Sequence, residues 1–179
     1  MACILMGLNI CFRELGDMRE LDALTRFLLM QNLGYPRYDA WVERTRWEIE
    51  SGYKKAVLGF SDFELVSDCI YQPHKNMHGF LEIKNLRVRE DFRMRDFGRF
   101  PLKQVEHDSR GRYDAIIGDV RLNQPEIIGF LRSYGFRELC VRPLYEKDTP
   151  DLIMIKWLNP AKRNVLEPLV KENIVTAAF

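Results

Sequence analysis

Hydrophobic residues recur with two different periods along the chain, and the changes of period divide it into strands and helices. Residues 10–15 have the pattern of a first strand. Asp17 and Glu20 have capping-box spacing, which predicts a helix over about 18–33 with an inward face formed by Leu21, Leu24, Phe27 and Leu28. We expect Asp39 to cap a second helix, whose inward face is formed by Val42, Thr45 and Ile49.

Three strand-like segments follow, over residues 56–60, 64–71 and 79–89, and their short links favour antiparallel neighbours. In the third segment Leu81 and Ile83 share one parity, whereas Leu86 and Val88 continue the apolar series with the opposite parity. The alternation therefore slips near Lys84, which indicates a β-bulge and leaves backbone amides available to a ligand. A strand that is buried on both faces is the alternative interpretation.

The second half of the chain alternates between helical and strand-like patterns. A basic loop over 92–99 precedes a helix over 100–107 and a buried strand over 113–120. Asn123, Pro125 and Glu126 have the pattern of a helix start, and Tyr134-Gly135 ends that helix. Strands over 137–145 and 151–158 follow. The order βααβββαβαββ predicts an α/β (α+β) fold, with a mixed, mainly antiparallel twisted sheet of about seven strands flanked by helices.

The composition is that of one compact domain, with 179 residues of which 46% are hydrophobic and 30% charged. We expect a domain over 1–158 and a C-terminal extension over 159–179. The apolar residues of that extension can pack on the domain itself or on a partner subunit, so a homodimer is one expectation. Neither arrangement is favoured by the sequence.

Charge and targeting features narrow the classes of partner. The net charge of +1 excludes a global field that would recruit nucleic acid or an anionic membrane. Four scattered cysteines without a Cys-x-x-Cys pair favour a reducing cytoplasm. The apolar run 2–8 lacks signal-peptide features and is too short to cross a bilayer, so we expect it to be buried or paired.

One part of the chain is distinctly basic. Between Lys84 and Arg112 there are nine Lys or Arg and five Asp or Glu, so this stretch carries +4 and the remainder −3. At a strand-to-helix turn, such an excess suits a polyphosphate, because helix N-terminal amides and arginines act on the same anion. A solvated charged surface is the alternative. His74 and His78 lack a carboxylate or cysteine partner in sequence, so we expect no metal site.

The element order, the stretch 86–102 and the stretch 123–136 together resemble the GNAT superfamily of acyl-CoA-dependent N-acyltransferases. The resemblance covers about residues 10–158. In that family the pyrophosphate loop reads Arg or Gln, two residues, Gly, one residue, then Gly or Ala. Arg93, Asp96 and Gly98 occupy those positions, so the first glycine is replaced by aspartate. Because aspartate tolerates left-handed backbone, we expect the loop to keep its shape.

The resemblance implies acetyl-CoA, or another acyl-CoA, as co-substrate. It implies that the pantetheine arm pairs with Leu86, Arg87 and Val88. It also implies a phosphate site formed by the amides of Arg93, Met94, Arg95, Asp96, Phe97, Gly98 and Arg99, and Asn123 is a further residue expected to bind the cofactor.

Acyl transfer requires a neutral amine, donors for a developing oxyanion and a thiolate that can leave. Glu82 is the predicted base, with a solvated strand carboxylate as the alternative, and the Val88 amide is the predicted oxyanion donor. The family places a tyrosine acid four residues before the glycine of its Gly-Phe motif. That position is Leu131, with Phe130 beside it, so Tyr134 is the displaced candidate.

The resulting prediction is an N-acyltransferase that transfers an acetyl or short acyl group to a primary amine by direct attack. The acceptor is expected to be a small molecule or a peptide. A catalytically weak CoA-binding regulatory module is one alternative, motivated by Asp96 and Leu131. An acetyltransferase that modifies an aminoacyl-RNA is another, against which the near-neutral charge counts. A dinucleotide-binding fold is disfavoured because no Gly-x-Gly-x-x-Gly follows a strand.

Overall fold

A computed structural model of the chain describes residues 9–32, 37–146 and 148–173. Seven strands are present: β1 (Ile10–Glu14), β2 (Lys55–Ser61), β3 (Glu64–Pro73), β4 (Phe80–Val88), β5 (Ala115–Arg121), β6 (Arg137–Glu146) and β7 (Thr149–Trp157). Five α-helices accompany them: α1 (Met18–Met30), α2 (Tyr38–Glu50), α3 (Arg99–Ser109), α4 (Pro125–Ser133) and α5 (Arg163–Asn173). The predicted order of elements is confirmed through β7.

All seven strands form one sheet in the order β1-β2-β3-β4-β5-β7-β6. Every neighbouring pair is antiparallel except β4 and β5, which run parallel. The parallel pair is joined by a crossover that contains α3, as parallel strands require. The predicted class, a mixed and mainly antiparallel sheet of seven strands flanked by helices, is confirmed.

The helix starts test the predicted caps. Asp17 accepts a hydrogen bond from the Glu20 amide at 3.0 Å, which confirms the first cap. The prediction for Asp39 is wrong, because α2 starts after Arg37 in left-handed backbone (φ 55°), with no side-chain cap bond. Asp39 lies instead in the first turn, where its charge still favours the helix N-terminus. The predicted Asn123 cap is also wrong, since Gln124 holds that position without a side-chain bond.

Helices cover both faces of the sheet. On one face α1 and α2 pack over β2 to β4, and their contact centres on Leu24, Leu28, Tyr38, Val42, Ala56, Leu58 and Ile70. We call this the α1–α2 face. On the opposite face α3 and α4 pack through Leu102, Val105, Ile128 and Leu131 against strand residues that include Cys69 and Leu81. We call this the α3–α4 face.

The segment after β7 returns to the sheet. A 3₁₀ turn over Pro160–Lys162 leads into α5, whose Val170 is buried against a cluster that includes Phe80, Ile117 and Ile155. Val165 on the same helix keeps 71% of its surface exposed. The helix thus packs through one narrow stripe. None of the described helices is long and apolar enough to cross a membrane, and the apolar run 2–8 lies outside the described residues.

The predicted slip in β4 is a bulge. Ile83 pairs with Tyr71 and Asn85 pairs with Ile70, so Lys84 is an extra residue without a partner in β3. The parallel pairing with β5 runs from Phe80 to Ile83 and ends opposite Gly118. The bulge therefore coincides with the point where β4 and β5 separate. Beyond it, β4 pairs only with β3.

Gly59 is a site where the sheet tolerates no side chain. A Cβ at this position would lie against the Ser67 side chain and 2.8 Å from Cε1 of Phe12. We expect Gly59→Ala to destabilise the protein by about 2–3 kcal/mol, because the added Cβ would be overpacked between β1 and β3. Urea unfolding followed by circular dichroism measures the loss.

Gly129→Ala is the matched control. Gly129 is exposed in the interior of α4, and a Cβ there would have no neighbour within 4 Å. Alanine has the higher helix propensity, so this variant should be more stable than the native protein by about 0.5–1 kcal/mol. Equal effects of the two substitutions would contradict the packing assigned to Gly59.

Candidate active site

The gap between β4 and β5 exposes backbone groups of β4. Antiparallel partners alternate between hydrogen-bonded and non-hydrogen-bonded pairs. The Arg89 amide donates to the Val66 carbonyl at 2.8 Å, which makes that pair hydrogen-bonded. By alternation, the amides of Leu86 and Val88 point away from β3 and into the gap. The Val88 carbonyl points the same way, since it accepts a hydrogen bond from Arg93 Nε at 3.4 Å.

The loop between β4 and α3 has an unusual backbone. Met94 and Asp96 both adopt left-handed conformations, with φ of 61° and 62°. The Asp96 carbonyl accepts hydrogen bonds from the amides of Arg99 and Phe100, at 2.9 and 3.1 Å, and so closes the turn into α3. Asp96 therefore holds the left-handed conformation that glycine adopts most easily.

This loop leaves a series of amides free. None of the amides of residues 94–98 donates to a backbone carbonyl of another described residue. Successive free amides around left-handed residues form a concave site for an anion. Gly98 stands at the N-cap of α3 and provides no side-chain cap. The helix start thus adds its partial positive charge to the same region.

Aromatic packing holds the loop against the sheet. The ring of Phe97 is buried, 5.5 Å from the ring of Phe12 and 5.2 Å from that of Phe92. A Cβ on Gly98 would lie 3.4 Å from both Phe130 and Val88, so the loop also packs closely on α4 and β4. Phe97 can therefore serve an anion only through its backbone. Its side chain is an anchor.

The basic stretch 84–112 does not form one patch. Arg89 pairs with Glu64 and Asp91, and Arg110 pairs with Glu106. Arg112 donates to the Asp108 carbonyl. The cations at the loop itself are Arg93, Arg95 and Arg99, whose side chains are exposed, and Asp96 lies 3.9 Å from Arg99. The loop therefore presents three arginines, with the carboxylates of Asp96 and Asp91 near Arg99 and Arg95 respectively.

Arg87 does not point towards this loop. Its side chain is buried on the α1–α2 face, where Nε donates to Asn85 at 3.0 Å and Nη1 donates to the Gln31 carbonyl. Its guanidinium lies 5.0 Å from the centre of the Tyr38 ring. Its amide belongs to a hydrogen-bonded pair with Asp68 by the same alternation. Neither its side chain nor its amide is directed into the gap.

A buried carboxyl group completes this network. Asp68 is fully buried, and Asn85 donates to its Oδ2 at 2.6 Å. Burial raises the pKa of Asp68 to about 7, although the Asn85 hydrogen bond and the Arg87 charge act in the opposite direction. The sequence alone did not single out Asp68. An acidic residue in the middle of β3, next to the apolar residues Cys69, Ile70 and Tyr71, was the signal that could have revealed it.

Glu82 lies on the α1–α2 face, opposite to Leu81 and Ile83, as predicted. The residue is 9% exposed. Its Oε2 accepts from Gln72 Nε2 at 3.0 Å and its Oε1 accepts from Lys84 Nζ at 2.9 Å. The buried His74 is close enough that the Glu82 charge acts on it, although burial dominates and lowers the pKa of His74. The carboxylate is therefore held in place immediately before the bulge.

Tyr134 is committed to another interaction. Its hydroxyl donates to Glu106 Oε2 at 3.0 Å, and Lys156 Nζ lies 3.9 Å from the centre of its ring. Lys156 pairs with Ile116, within the part of β5 that is still joined to β4. Burial and the hydrogen bond to Glu106 raise the pKa of Tyr134. The structure thus places this hydroxyl in a structural network outside the gap.

The α4 side chain nearest the loop is Phe130. Its Cζ lies 3.4 Å from the position of a Cβ on Gly98, and Val88 is equally close to that position. Leu131 is buried in the α3–α4 core. Neither residue carries a hydroxyl. Asn123 is exposed in the turn after β5, and no contact of its side chain ties it to the loop or to the gap among the described residues.

The described part of the chain offers little to a metal. No three His, Cys, Asp or Glu side chains among the described residues are grouped so that they would hold an ion. The structure thus brings together the backbone amides of β4 and of the loop with three arginines. The Glu82 carboxylate lies separately, on the α1–α2 face.

Solved structures resemble the fold of this chain, although the sequence matches no family model and no curated protein. A protein from Desulfovibrio desulfuricans, described as an acetyltransferase of the GNAT family, has a TM-score of 0.73 at 15% identity, over 83% of this chain and 99% of its own. The Escherichia coli ribosomal-protein-S18-alanine N-acetyltransferase has a TM-score of 0.68 at 16% identity, over 83% of this chain and 94% of its own. An aminoglycoside 6′-N-acetyltransferase complexed with coenzyme A has a TM-score of 0.66 at 18% identity, over 84% of this chain and 98% of its own. The chain has the same fold as these acetyltransferases.

The Glu106 network predicts a loss of stability in acid. Burial alone would raise the pKa of Glu106, but hydrogen bonds from Lys156, Arg110 and Tyr134 lower it from 4.5 to about 2. A carboxyl group whose pKa is lower in the folded than in the unfolded protein stabilises the folded state at any pH above the unfolded pKa. This stabilisation is lost as the pH falls from about 4.5 to about 2. The shift corresponds to about 3 kcal/mol in the free energy of unfolding. Glu106→Gln should therefore be less stable at pH 7 by up to that amount.

Urea unfolding at pH 7 and pH 2.5 measures this dependence. The free energy of unfolding of Glu106→Gln should be much lower than that of the native protein at pH 7, and only slightly lower at pH 2.5. Glu43→Gln, an exposed change on α2, is the control and should show no such dependence. A difference that persists unchanged in acid would contradict the assigned network.

Proposed function

We propose that the protein is an acyl-CoA-dependent N-acyltransferase that transfers an acetyl or other short acyl group to a primary amine by direct attack. The observation that carries this proposal is the stretch of β4 from Leu86 to Val88, which pairs with β3 but no longer with β5 and leads to the free amides of residues 94–98. The structural neighbour solved with coenzyme A supports the same carrier here.

The residues present suit the carrier. A diphosphate needs convergent donors and positive charge, and residues 94–98 offer free amides beside Arg93, Arg95 and Arg99. The pantetheine arm contains amide groups, which suit the amides of Leu86 and Val88 that face the gap. Asp96 opposes the diphosphate through its charge, whereas its backbone conformation suits the site.

The chemistry divides between the two faces of the sheet. When bound, an acyl-CoA supplies a thioester carbonyl and a thiolate leaving group. The Val88 amide points into the gap and is the donor that we assign to the carbonyl oxygen. Glu82 is the base that accepts a proton from the acceptor ammonium, directly or through water. Gln72 positions this carboxylate by its hydrogen bond to Oε2.

No dedicated acid is assigned to the leaving group. Phe130 and Leu131 lack a hydroxyl, and that of Tyr134 is bound to Glu106. A thiol has a pKa of about 8.5, so a thiolate leaves adequately near neutral pH and takes its proton from solvent. The acceptor that we propose is a small-molecule or peptide amine. A cytoplasmic location and a homodimer stay predictions from sequence.

A catalytically weak CoA-binding module is the second candidate. The observations that favour it are the carboxylate of Asp96 beside the free amides and the hydrocarbon side chains of Phe130 and Leu131 on α4. This candidate shares the carrier site and differs only in turnover. Binding of CoA without acyl transfer to any amine would select it.

Asp96 and Met94 provide a matched test of the carrier site. Both are left-handed, so Asp96→Gly and Met94→Gly should each relieve strain of the order of 1 kcal/mol. Only Asp96→Gly also removes a negative charge beside the proposed diphosphate. We therefore expect Asp96→Gly to bind CoA several-fold more tightly than the native protein, and Met94→Gly to leave the affinity nearly unchanged. Calorimetric titration with CoA measures both.

Salt provides the control for that titration. The advantage of Asp96→Gly is electrostatic at an exposed site, so it should shrink as sodium chloride is raised from 0.05 to about 1 M, where the screening length falls to about 3 Å. The proposal would be refuted if the native protein bound neither CoA nor acetyl-CoA at millimolar concentration.

Glu82→Gln tests the catalytic base. The amide keeps the size of the side chain and cannot accept the proton, so kcat should fall by about 10²-fold or more. Release of CoA thiol from acetyl-CoA is followed with a panel of primary amines. Glu43→Gln serves as the surface control. Unchanged turnover in folded Glu82→Gln would rule out the role assigned to Glu82.

A further inference from the structure

Lys84 stands at the apex of the gap. It is the extra residue of the β4 bulge, directly after Ile83, the last residue of β4 that pairs with β5. Its side chain lies on the α1–α2 face, where Nζ is 2.9 Å from Glu82 Oε1. Only 17% of the side chain is exposed. An ammonium group is thus held inside the protein where the two strands separate.

Carboxylates from both separating strands act on this ammonium. Glu82 is on β4, and Asp119 is on β5, one residue past the end of the parallel pairing. Burial alone would lower the pKa of Lys84, but the charges of Glu82 and Asp119 raise it. Burial raises the pKa of Asp119, and the Lys84 charge opposes that shift. Lys84 therefore stays charged, as a ligand of these carboxylates and not as a nucleophile.

Both oxygens of Glu82 are already in use. Gln72 donates to Oε2 and Lys84 donates to Oε1. An acceptor ammonium has the same charge and the same donors as the end of a lysine side chain. Each carboxylate oxygen can accept a second hydrogen bond, but Glu82 is only 9% exposed, so an acceptor ammonium that bonds to Oε1 must enter beside the Lys84 ammonium or take its place.

We propose that the Lys84 ammonium occupies the position of the acceptor ammonium, and that an acceptor must displace it before transfer. This inference rests on the proposed function. Lys84 is then a specificity-determining residue, because weakly binding amines do not compete with a tethered ammonium. The acceptor class that fits is an unbranched primary alkylammonium, which reproduces the last atoms of a lysine side chain.

Lys84→Ala tests the binding position without any CoA. The substitution removes the atoms from Cγ to Nζ, which n-propylammonium reproduces. We expect Lys84→Ala to unfold at a lower temperature than the native protein. Added n-propylammonium should restore the melting temperature in a saturable manner, whereas n-propanol and tetramethylammonium should not, since one lacks the charge and the other lacks N–H donors. No recovery with n-propylammonium would overturn the proposal.

Transfer to the same amine tests the assignment to the acceptor. In this reaction the amine nitrogen bonds to the acetyl carbon, the carbon–sulfur bond breaks, Glu82 takes the amine proton, and the thiolate takes a proton from solvent. We expect KM for n-propylamine to be at least tenfold lower in Lys84→Ala than in the native protein. Lys55→Ala, at a half-exposed pair with Glu14, is the control and should leave KM unchanged.

The remaining outcomes are decisive as well. If n-propylammonium restores the melting temperature of Lys84→Ala but KM is unchanged, the space left by the lysine side chain is not the acceptor site, and the proposal is overturned. A fall in kcat at unchanged KM would show that Lys84 orients Glu82, and would also overturn it. Should Lys84→Ala not fold, Lys84→Ser also empties the position beyond Cβ except for one hydroxyl and serves for the same KM comparison.

Failure of the proposed function is measured separately. Acetyl-CoA added to the native protein reports on the loop and the gap through its own thermal shift. Absence of that shift refutes the acyltransferase and, with it, the acceptor assignment. The response of Lys84→Ala to n-propylammonium involves no CoA, so it still shows whether the carboxylates at the apex bind an alkylammonium.

Discussion

One extra residue in β4 determines how the rest of the molecule is arranged. Because Lys84 has no partner in β3, the strand changes direction where its pairing with β5 ends. The bulge also restores the apolar parity, so that Leu81, Ile83 and Leu86 all lie against the α3–α4 core. Without it, the second half of β4 would turn its apolar side chains to the wrong face. The same residue therefore preserves the core and opens the sheet.

The two faces of the sheet carry different kinds of chemistry at this opening. The side of the gap that meets the loop is built from backbone amides, which need no particular side chain to bind an anion. The α1–α2 face is built from buried polar side chains, in which Asp68, Asn85 and Arg87 connect the sheet to the end of α1 and to Tyr38. The hydrogen bonds of this network join segments far apart in the chain, so they also fix how α1 and α2 sit on the sheet. In the proposed reaction, the carrier and the acceptor approach from opposite sides.

The loop before α3 shows how one backbone shape is reached with different residues. Asp96 and Met94 accept left-handed conformations that glycine would adopt more easily. Phe97 compensates by burying its ring among other aromatic side chains, and Gly98 allows the loop to lie against Phe130 and Val88. Packing therefore holds a shape that the local sequence alone does not favour.

The sequence by itself determined the features that depend on near neighbours: the order of strands and helices through β7, the Asp17 cap, and the bulge at Lys84, each of which is written in periodicity or in spacing of a few residues. Only the tertiary structure decided which distant groups meet. It turned Arg87 away from the loop, bound Tyr134 to Glu106, started α2 and α4 without the expected caps, and placed Gln72 and Lys84 on the oxygens of Glu82. These outcomes depend on strand register and on the packing of segments far apart in the chain, and local sequence patterns carry no information about either.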